Sequence, residues 1–247
     1  MMVLKVISSS SKGNLYILEH DSKILLLECG VGVKEIKKTL GFDFSNVLGC
    51  VLSHEHGDHS KSALELMNLG INLFTTQGTA AMLNLNHHRL NIVSAKHPFD
   101  LEMFTILPFD VQHDAAEPSG FLIQCKQTGE KLLFATDTFY LKYQFENLNY
   151  ILIECNYISE ILLQNIDNGL IPRQLQRRLL KSHFSLDNVK QFLVSNDLST
   201  VRKIVLLHLS DGNSDARRMV REIKELTGID TVVADPGLML DLELYPF

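Results

Sequence analysis

Apolar and polar positions alternate or cluster in short runs over the first half of the chain. Val3–Ile7, Leu15–Glu19 and Lys23–Glu28 read as strands, each β-rich and bounded by Ser, Gly, Asp or Asn. Val33, Ile36 and Leu40 recur at helical spacing, and Gly41 ends that helix. Leu48–Leu52 is a continuous apolar run, as in a strand buried on both faces. Ser60 reads as the N-cap of a helix through Leu69. Further strands are predicted near Asn72–Thr75, Ile92–Ser94, Met103–Leu107, Gly120–Lys126 and Lys131–Ala135, with a helix at Gln77–Leu85. Beyond this the pattern turns more helical. Ser159–Ile166, Pro172–Lys181, Ser185–Asn196 and Ser214–Leu226 read as helices, set among strands at Tyr150–Glu154, Lys203–Leu207, Thr231–Ala234 and Leu238–Leu242. Strands interspersed with helices, with no repeat or linker between them, predict one α/β domain over residues 1–247.

Composition narrows this little. With 45% hydrophobic and 21% charged residues, the chain is expected to fold around a substantial core. A net charge of −6 argues against coating nucleic acid with the whole surface, though a local basic patch remains open. Four dispersed cysteines, no signal-peptide pattern and no long apolar run predict a cytoplasmic protein with free thiols. Histidine, at ten, is the count that changes the picture.

Four candidate ligands, His54, His56, Asp58 and His59, sit in one stretch, Ser53-His54-Glu55-His56-Gly57-Asp58-His59, directly after the apolar strand. In extended backbone His54 and His56 point to the same side. Asp58 and His59, at the following bend, can address a second point nearby. Neutral imidazoles and carboxylates suit zinc, manganese or iron. Three further candidates each follow an apolar run: His113, Asp137 and His208.

With these residues in place, the sequence resembles the metallo-β-lactamase-fold hydrolases, and the resemblance implies an αββα sandwich of two packed sheets flanked by helices. It implies that His54, His56 and His113 bind one divalent metal (Zn²⁺ or Mn²⁺), that Asp58, His59 and His208 bind a second, and that Asp137 bridges them. The family's early strand usually ends in Asp-x-Gly, and here Glu28-Cys29-Gly30 stands in that place. Asp where classical zinc β-lactamases carry Cys disfavours lactam hydrolysis. His56 where flavo-diiron oxidoreductases carry Glu disfavours redox chemistry.

Ile153-Glu154-Cys155-Asn156 and Ser182-His183-Phe184-Ser185 look like the paired Glu and His of the tRNase Z group. By that resemblance His183 protonates the leaving oxygen and Glu154 holds its ring, with Asp58 completing the catalytic set. Upstream, Arg173, Arg177 and Lys181 share one helical face in a stretch without acidic residues, a stripe suited to phosphates. Within the superfamily the likeness is greatest to the YycJ/WalJ-type, exonuclease-like branch. Its cues include Ser9-Ser10-Ser11-Lys12-Gly13-Asn14 and His208-Leu209-Ser210-Asp211-Gly212-Asn213. Ser11, Asn14, Arg177, Lys181 and Asn213 are therefore expected to face substrate.

The expectation is a dinuclear-metal phosphodiesterase or nuclease, 5′-exonuclease-like, on DNA or RNA, with no membrane partner and a homodimer left open. A hydrolase of small cyclic phosphodiesters, and a thioester or lactone hydrolase on the same scaffold, stay as alternatives. Asp114 and the remaining histidines read as turn or surface residues.

Overall fold

The computed structural model describes residues 2–242. The chain divides into two compact units. One holds the chain up to Pro108, Ala115–Ser119 and the part from Ala234 on; the other holds Phe109–Asp114 and Gly120–Val233.

The first unit begins with β1 (Met2–Ser10), β2 (Gly13–His20) and β3 (Lys23–Leu27), then α1 (Val33–Thr39), β4 (Val47–Val51), α2 (Gly57–Ser60) and α3 (Ala63–Asn68). β5 (Leu73–Thr75), α4 (Gln77–Met82), β6 (Leu90–Ile92), β7 (Phe99–Leu101) and β8 (Phe104–Asp110) follow, the last ending at the boundary between the units. The second unit contains β9 (Ser119–Cys125), β10 (Lys131–Ala135), β11 (Tyr150–Glu154), α5 (Ser159–Asp167), α6 (Arg173–Ser182), α7 (Leu186–Val194), β12 (Lys203–Leu207), α8 (Ala216–Thr227) and β13 (Asp230–Val233). The chain then returns to the first unit as β14 (Met239–Leu242).

A mixed sheet in the first unit has the order β14-β1-β2-β3-β4-β5-β6. It is antiparallel through β3 and parallel from β3 to β6. Leu26, Cys50 and Leu73 from its central strands, with Leu52 just after β4, meet Ile36 and Leu66 of the helices in one buried cluster. In the second unit β10 to β13 are parallel, and β9 pairs antiparallel to β10. Burial on both faces explains why β10, β11 and β12 read as unbroken apolar runs. Their core includes Leu133, Ile151, Ile153, Ile204 and Leu206, packed with Val189, Phe192 and Leu193 of α7 and Met219 and Ile223 of α8. All four cysteines are buried and free. Among the described residues no helix is long and apolar enough to cross a membrane.

Two local expectations are corrected. The helix placed at Ser60 starts earlier, at Gly57, and breaks before a second helix at Ala63. The Ser60 hydroxyl donates to the Glu55 carbonyl at 2.8 Å instead of capping a helix. Strand β7 was not expected. Its three residues are only partly covered, and it exists through its pairing with β8, Phe99 opposite Ile106 and Leu101 opposite Phe104.

Helix α8 ends as its sequence predicts, on Gly228 in the left-handed region at φ 71°. It is tied to its neighbours by charge. Glu222 pairs with Lys190 of α7 and accepts from Arg218 Nε at 2.6 Å, while Arg218 Nη1 reaches Glu160 of α5 at 2.6 Å. The Lys190 and Arg218 hydrogen bonds hold the Glu222 carboxyl below its ordinary pKa. A depressed acid contributes stability above its unfolded pKa, and that contribution is lost as pH falls through the folded value. Glu222→Gln should therefore cost about 1 kcal/mol or less at neutral pH. The gap in Tm between variant and wild type should close below about pH 4, and a gap that widened on acidification would contradict the assignment.

Candidate metal centre

In the first unit, β4 delivers the chain at Leu52 and the ligand-type residues follow at once. His54 is buried, and its Nδ1 lies 2.8 Å from Ser53 Oγ. That hydrogen bond turns Nε2 to the other side, where it lies 3.1 Å from His56 Nδ1. Two nitrogens bound to one tetrahedral zinc stand about 3.3 Å apart, from Zn–N distances of about 2.0–2.1 Å, so the pair already has the spacing of ligands to a common ion. His56 is extended (φ −59°, ψ 144°), and α2 begins at the next residue, carrying Asp58 and His59. His59 is fully buried, with Nε2 3.5 Å from Asp58 Oδ2.

Three residues from distant sequence set this loop. Glu28 directly follows β3, is fully buried and has φ 66°. Its carboxylate accepts from the Ser53 amide at 3.3 Å and lies 3.5 Å from His59 Nδ1. The Glu28 side chain thus reaches the Ser53 amide and stands beside the His59 ring. Asn14, expected to face substrate, is buried instead. Its amide nitrogen donates to the Ser10 and Asp58 carbonyls, both at 3.1 Å, and lies 3.1 Å from His59 Nε2. Gly30 completes the support, because a Cβ there would fall 1.6 Å from the Asp58 carbonyl oxygen. Gly30→Ala must push the Asp58–His59 backbone away. It is expected to destabilise by about 1–3 kcal/mol or more and to lower bound metal, read by elemental analysis of the purified variant. Full metal content with unchanged Tm would refute the role given to this glycine.

Glu55 was not singled out by the sequence. It accepts from the Ala116 amide at 2.7 Å, and so straps Ala115–Ser119 to the His54–His59 loop.

In the second unit the candidates stand beyond the ends of parallel strands, where rigid elements meet loops. Asp137 follows β10 at φ 32° and His208 follows β12 at φ 52°. Left-handed backbone at two non-glycine residues is uncommon and belongs with sites whose surroundings hold the strain. Asp137 Oδ1 lies 2.9 Å from His208 Nδ1 and accepts from the Thr136 hydroxyl at 2.8 Å. Its Oδ2 lies 3.7 Å from His113 Nε2. Asp137 therefore faces two imidazoles with its two oxygens. His113 Nδ1 is 2.7 Å from the Ser182 carbonyl at the end of α6. A carbonyl only accepts, so Nδ1 carries the proton and Nε2 keeps its lone pair. Burial lowers the His113 pKa despite the Asp137 charge, which favours the neutral form a ligand needs.

Glu154, the last residue of β11, is fully buried. Oε1 lies 2.6 Å from His183 Nδ1 and 3.3 Å from His208 Nδ1, while Oε2 accepts from the amides of Thr138 (2.9 Å) and Phe184 (3.1 Å). Burial alone would raise its pKa, but the His183 charge and the hydrogen bonds from His183 and His208 outweigh it and the carboxyl is held low. The same pairing raises the His183 pKa against the effect of its own burial. Asp137, Glu154, His183 and His208 form one cluster whose donor atoms lie within 4.8 Å of one another.

Of the other expected substrate residues, Ser11 is exposed in the β1–β2 turn and Lys181 is exposed near the end of α6. Asn213 is buried, accepting from Asn165 Nδ2 at 2.9 Å, and supports the loop after His208. The side chain of Arg177 lies outside the described residues. Its neighbour Arg178, not selected from the sequence stripe, reaches Asp114 Oδ2 at 3.1 Å.

The donor chemistry in each unit, imidazoles with carboxylates, fits hard-to-borderline divalent cations. Residues 25–209 match the family described as Beta-lactamase superfamily domain, and the chain belongs to that family. Its fold is the metallo-β-lactamase fold, the two mixed sheets flanked by helices that the sequence predicted. A B. subtilis structure titled as the metallo-beta-lactamase fold protein YhfI superposes with a TM-score of 0.74 at 14% identity, covering 98% of this chain and 100% of that one. Among curated proteins, Exodeoxyribonuclease WalJ of Streptococcus pneumoniae is 27% identical over 97% of this chain and 92% of its own length. Exodeoxyribonuclease YycJ of Bacillus anthracis is 28% identical over 90% of this chain and 89% of its own length.

Proposed function

We propose that this protein is a divalent-metal-dependent phosphodiesterase that removes nucleotides from the ends of DNA. The observation that carries the reading is the Glu154–His183 pair at 2.6 Å, beside the carboxylate of Asp137. Phosphodiester cleavage releases an alkoxide that needs a proton, and an imidazole held by a buried carboxylate is suited to give one. Thioester and lactone cleavage make no comparable demand. The full-length similarity to two exodeoxyribonucleases supports DNA as the polymer.

In this reading His54, His56 and His113 hold one ion, Asp58, His59 and His208 hold the other, and Asp137 is shared. The family match, residues 25–209, runs through both units. Two bound cations supply positive charge against the phosphate oxygens and make a water easier to deprotonate. The chain's residues do the rest. Asp58 orients the attacking water. Glu154 accepts a hydrogen bond from His183 Nδ1 and its charge favours the imidazolium, so the Nε2–H of that doubly protonated ring is the proton that goes to the departing oxygen. Glu154 Oε2, fixed by two backbone amides, keeps that geometry without moving. The site is assigned to zinc or manganese, the protein to the cytoplasm.

The test is a substrate profile. Protein freed of metal with a chelator, then resupplied with Zn²⁺ or Mn²⁺, is given end-labelled single- and double-stranded DNA, RNA, a cyclic dinucleotide and a thioester. Progressive shortening of DNA only in the metal-loaded samples is expected. Thioester turnover with DNA left intact would overturn the reading.

A further inference from the structure

Helix α6 is docked by its last residue, since the Ser182 carbonyl accepts from His113 Nδ1 at 2.7 Å. The next residue is His183. One turn back, on the same face as Ser182, stands Arg178. Its Nε lies 3.1 Å from Asp114 Oδ2, and the other oxygen of Asp114 lies 3.4 Å from His113 Nε2. A single carboxylate therefore separates the guanidinium from the metal-facing nitrogen of His113. Both partners are largely open to solvent, Arg178 at 58% and Asp114 at 42% of the side chain. An ion pair this exposed contributes little to stability. It leaves the Arg178 Nη atoms without a protein partner among the described residues. Lys181 is exposed three residues further along, and no acidic residue occurs from Leu170 to Leu186 in a chain of net charge −6.

We propose that Arg178, assisted by Lys181, is a subsite for a non-reacting phosphate of the nucleic acid next to the one being cleaved, and that Asp114 occupies the guanidinium when substrate is absent. The inference rests on the phosphodiesterase reading and adds to it the group that reads the neighbouring backbone position. The planar fork of Arg178 suits two oxygens of a phosphate as well as those of a carboxylate, so exchange of one for the other needs no rearrangement of the helix. Asp114 also sets a threshold. A ligand must carry an anion able to displace it, which favours polymeric substrates over a lone diester.

The two residues should then move binding in opposite directions. Binding of a fluorescent single-stranded DNA oligonucleotide to chelator-treated protein is measured by anisotropy across a salt series. Arg178→Ala is expected to weaken binding about tenfold and to reduce the slope of log K against log salt by about 0.7, the contribution of one phosphate contact on single strands. Arg178→Lys should restore part of the affinity. Asp114→Asn should tighten binding several-fold. Thermal melts check that each variant is folded. Unchanged affinity and slope in Arg178→Ala, or weaker binding in Asp114→Asn, would overturn the inference. Failure of the wild-type protein to shorten DNA would instead remove the phosphodiesterase reading itself, so the two outcomes are separable.

Discussion

Asp137→Asn is expected to abolish DNA hydrolysis to the extent of about 10³-fold or more, the scale of losing several kcal/mol of electrostatic stabilisation. Its carboxylate is buried, with one oxygen 2.9 Å from His208 and the other 3.7 Å from His113. The amide keeps the shape but removes the charge and replaces one acceptor with a donor, which then points at an imidazole. Loss of bound metal should accompany loss of activity, read by elemental analysis beside the nuclease assay. If Asp137→Asn cleaved DNA as fast as wild type, the shared-carboxylate assignment would be wrong, and with it the two-ion site.

His183→Ala is expected to separate activity from metal content. A positioned general acid contributes about 10²–10⁴-fold, so turnover should fall by that factor while bound metal stays at the wild-type level. His183 is tied to Glu154 at 2.6 Å and stands further, at 3.8 Å, from the Asp137 carboxylate. A substrate with a good leaving group such as p-nitrophenolate needs less protonation, so the deficit should shrink on bis(p-nitrophenyl) phosphate. Loss of metal in this variant would reassign His183 as a ligand.

Much of this was written locally along the chain. Strands β10, β11 and β12 were legible to the residue because burial on both faces leaves a continuous apolar run. The His54–His59 stretch was legible because its donors are close in sequence and one extended segment and one bend suffice to present them. The tip of β7 was not, since a three-residue strand with half-covered side chains has no apolar signature of its own. Asn14 and Asn213 were read as substrate contacts because polar residues in turns look alike in sequence. The fold instead buries both as supports for the loops carrying His59 and His208.

The sequence by itself determined the strand pattern and the close-set donors of the His54–His59 stretch, because these are carried by periodicity or by a motif a few residues long, whereas the pairing of Glu154 with His183, 29 residues apart, was implied only by resemblance to the tRNase Z group. Only the tertiary structure decided that Glu28 reaches Ser53 and comes beside His59, that Gly30 lies against Asp58, and that Arg178 meets Asp114. Those contacts join segments 25 to 64 residues apart. Whether two such segments meet within an ångström depends on how strand ends and helix termini are packed, and no local stretch of chain encodes that distance.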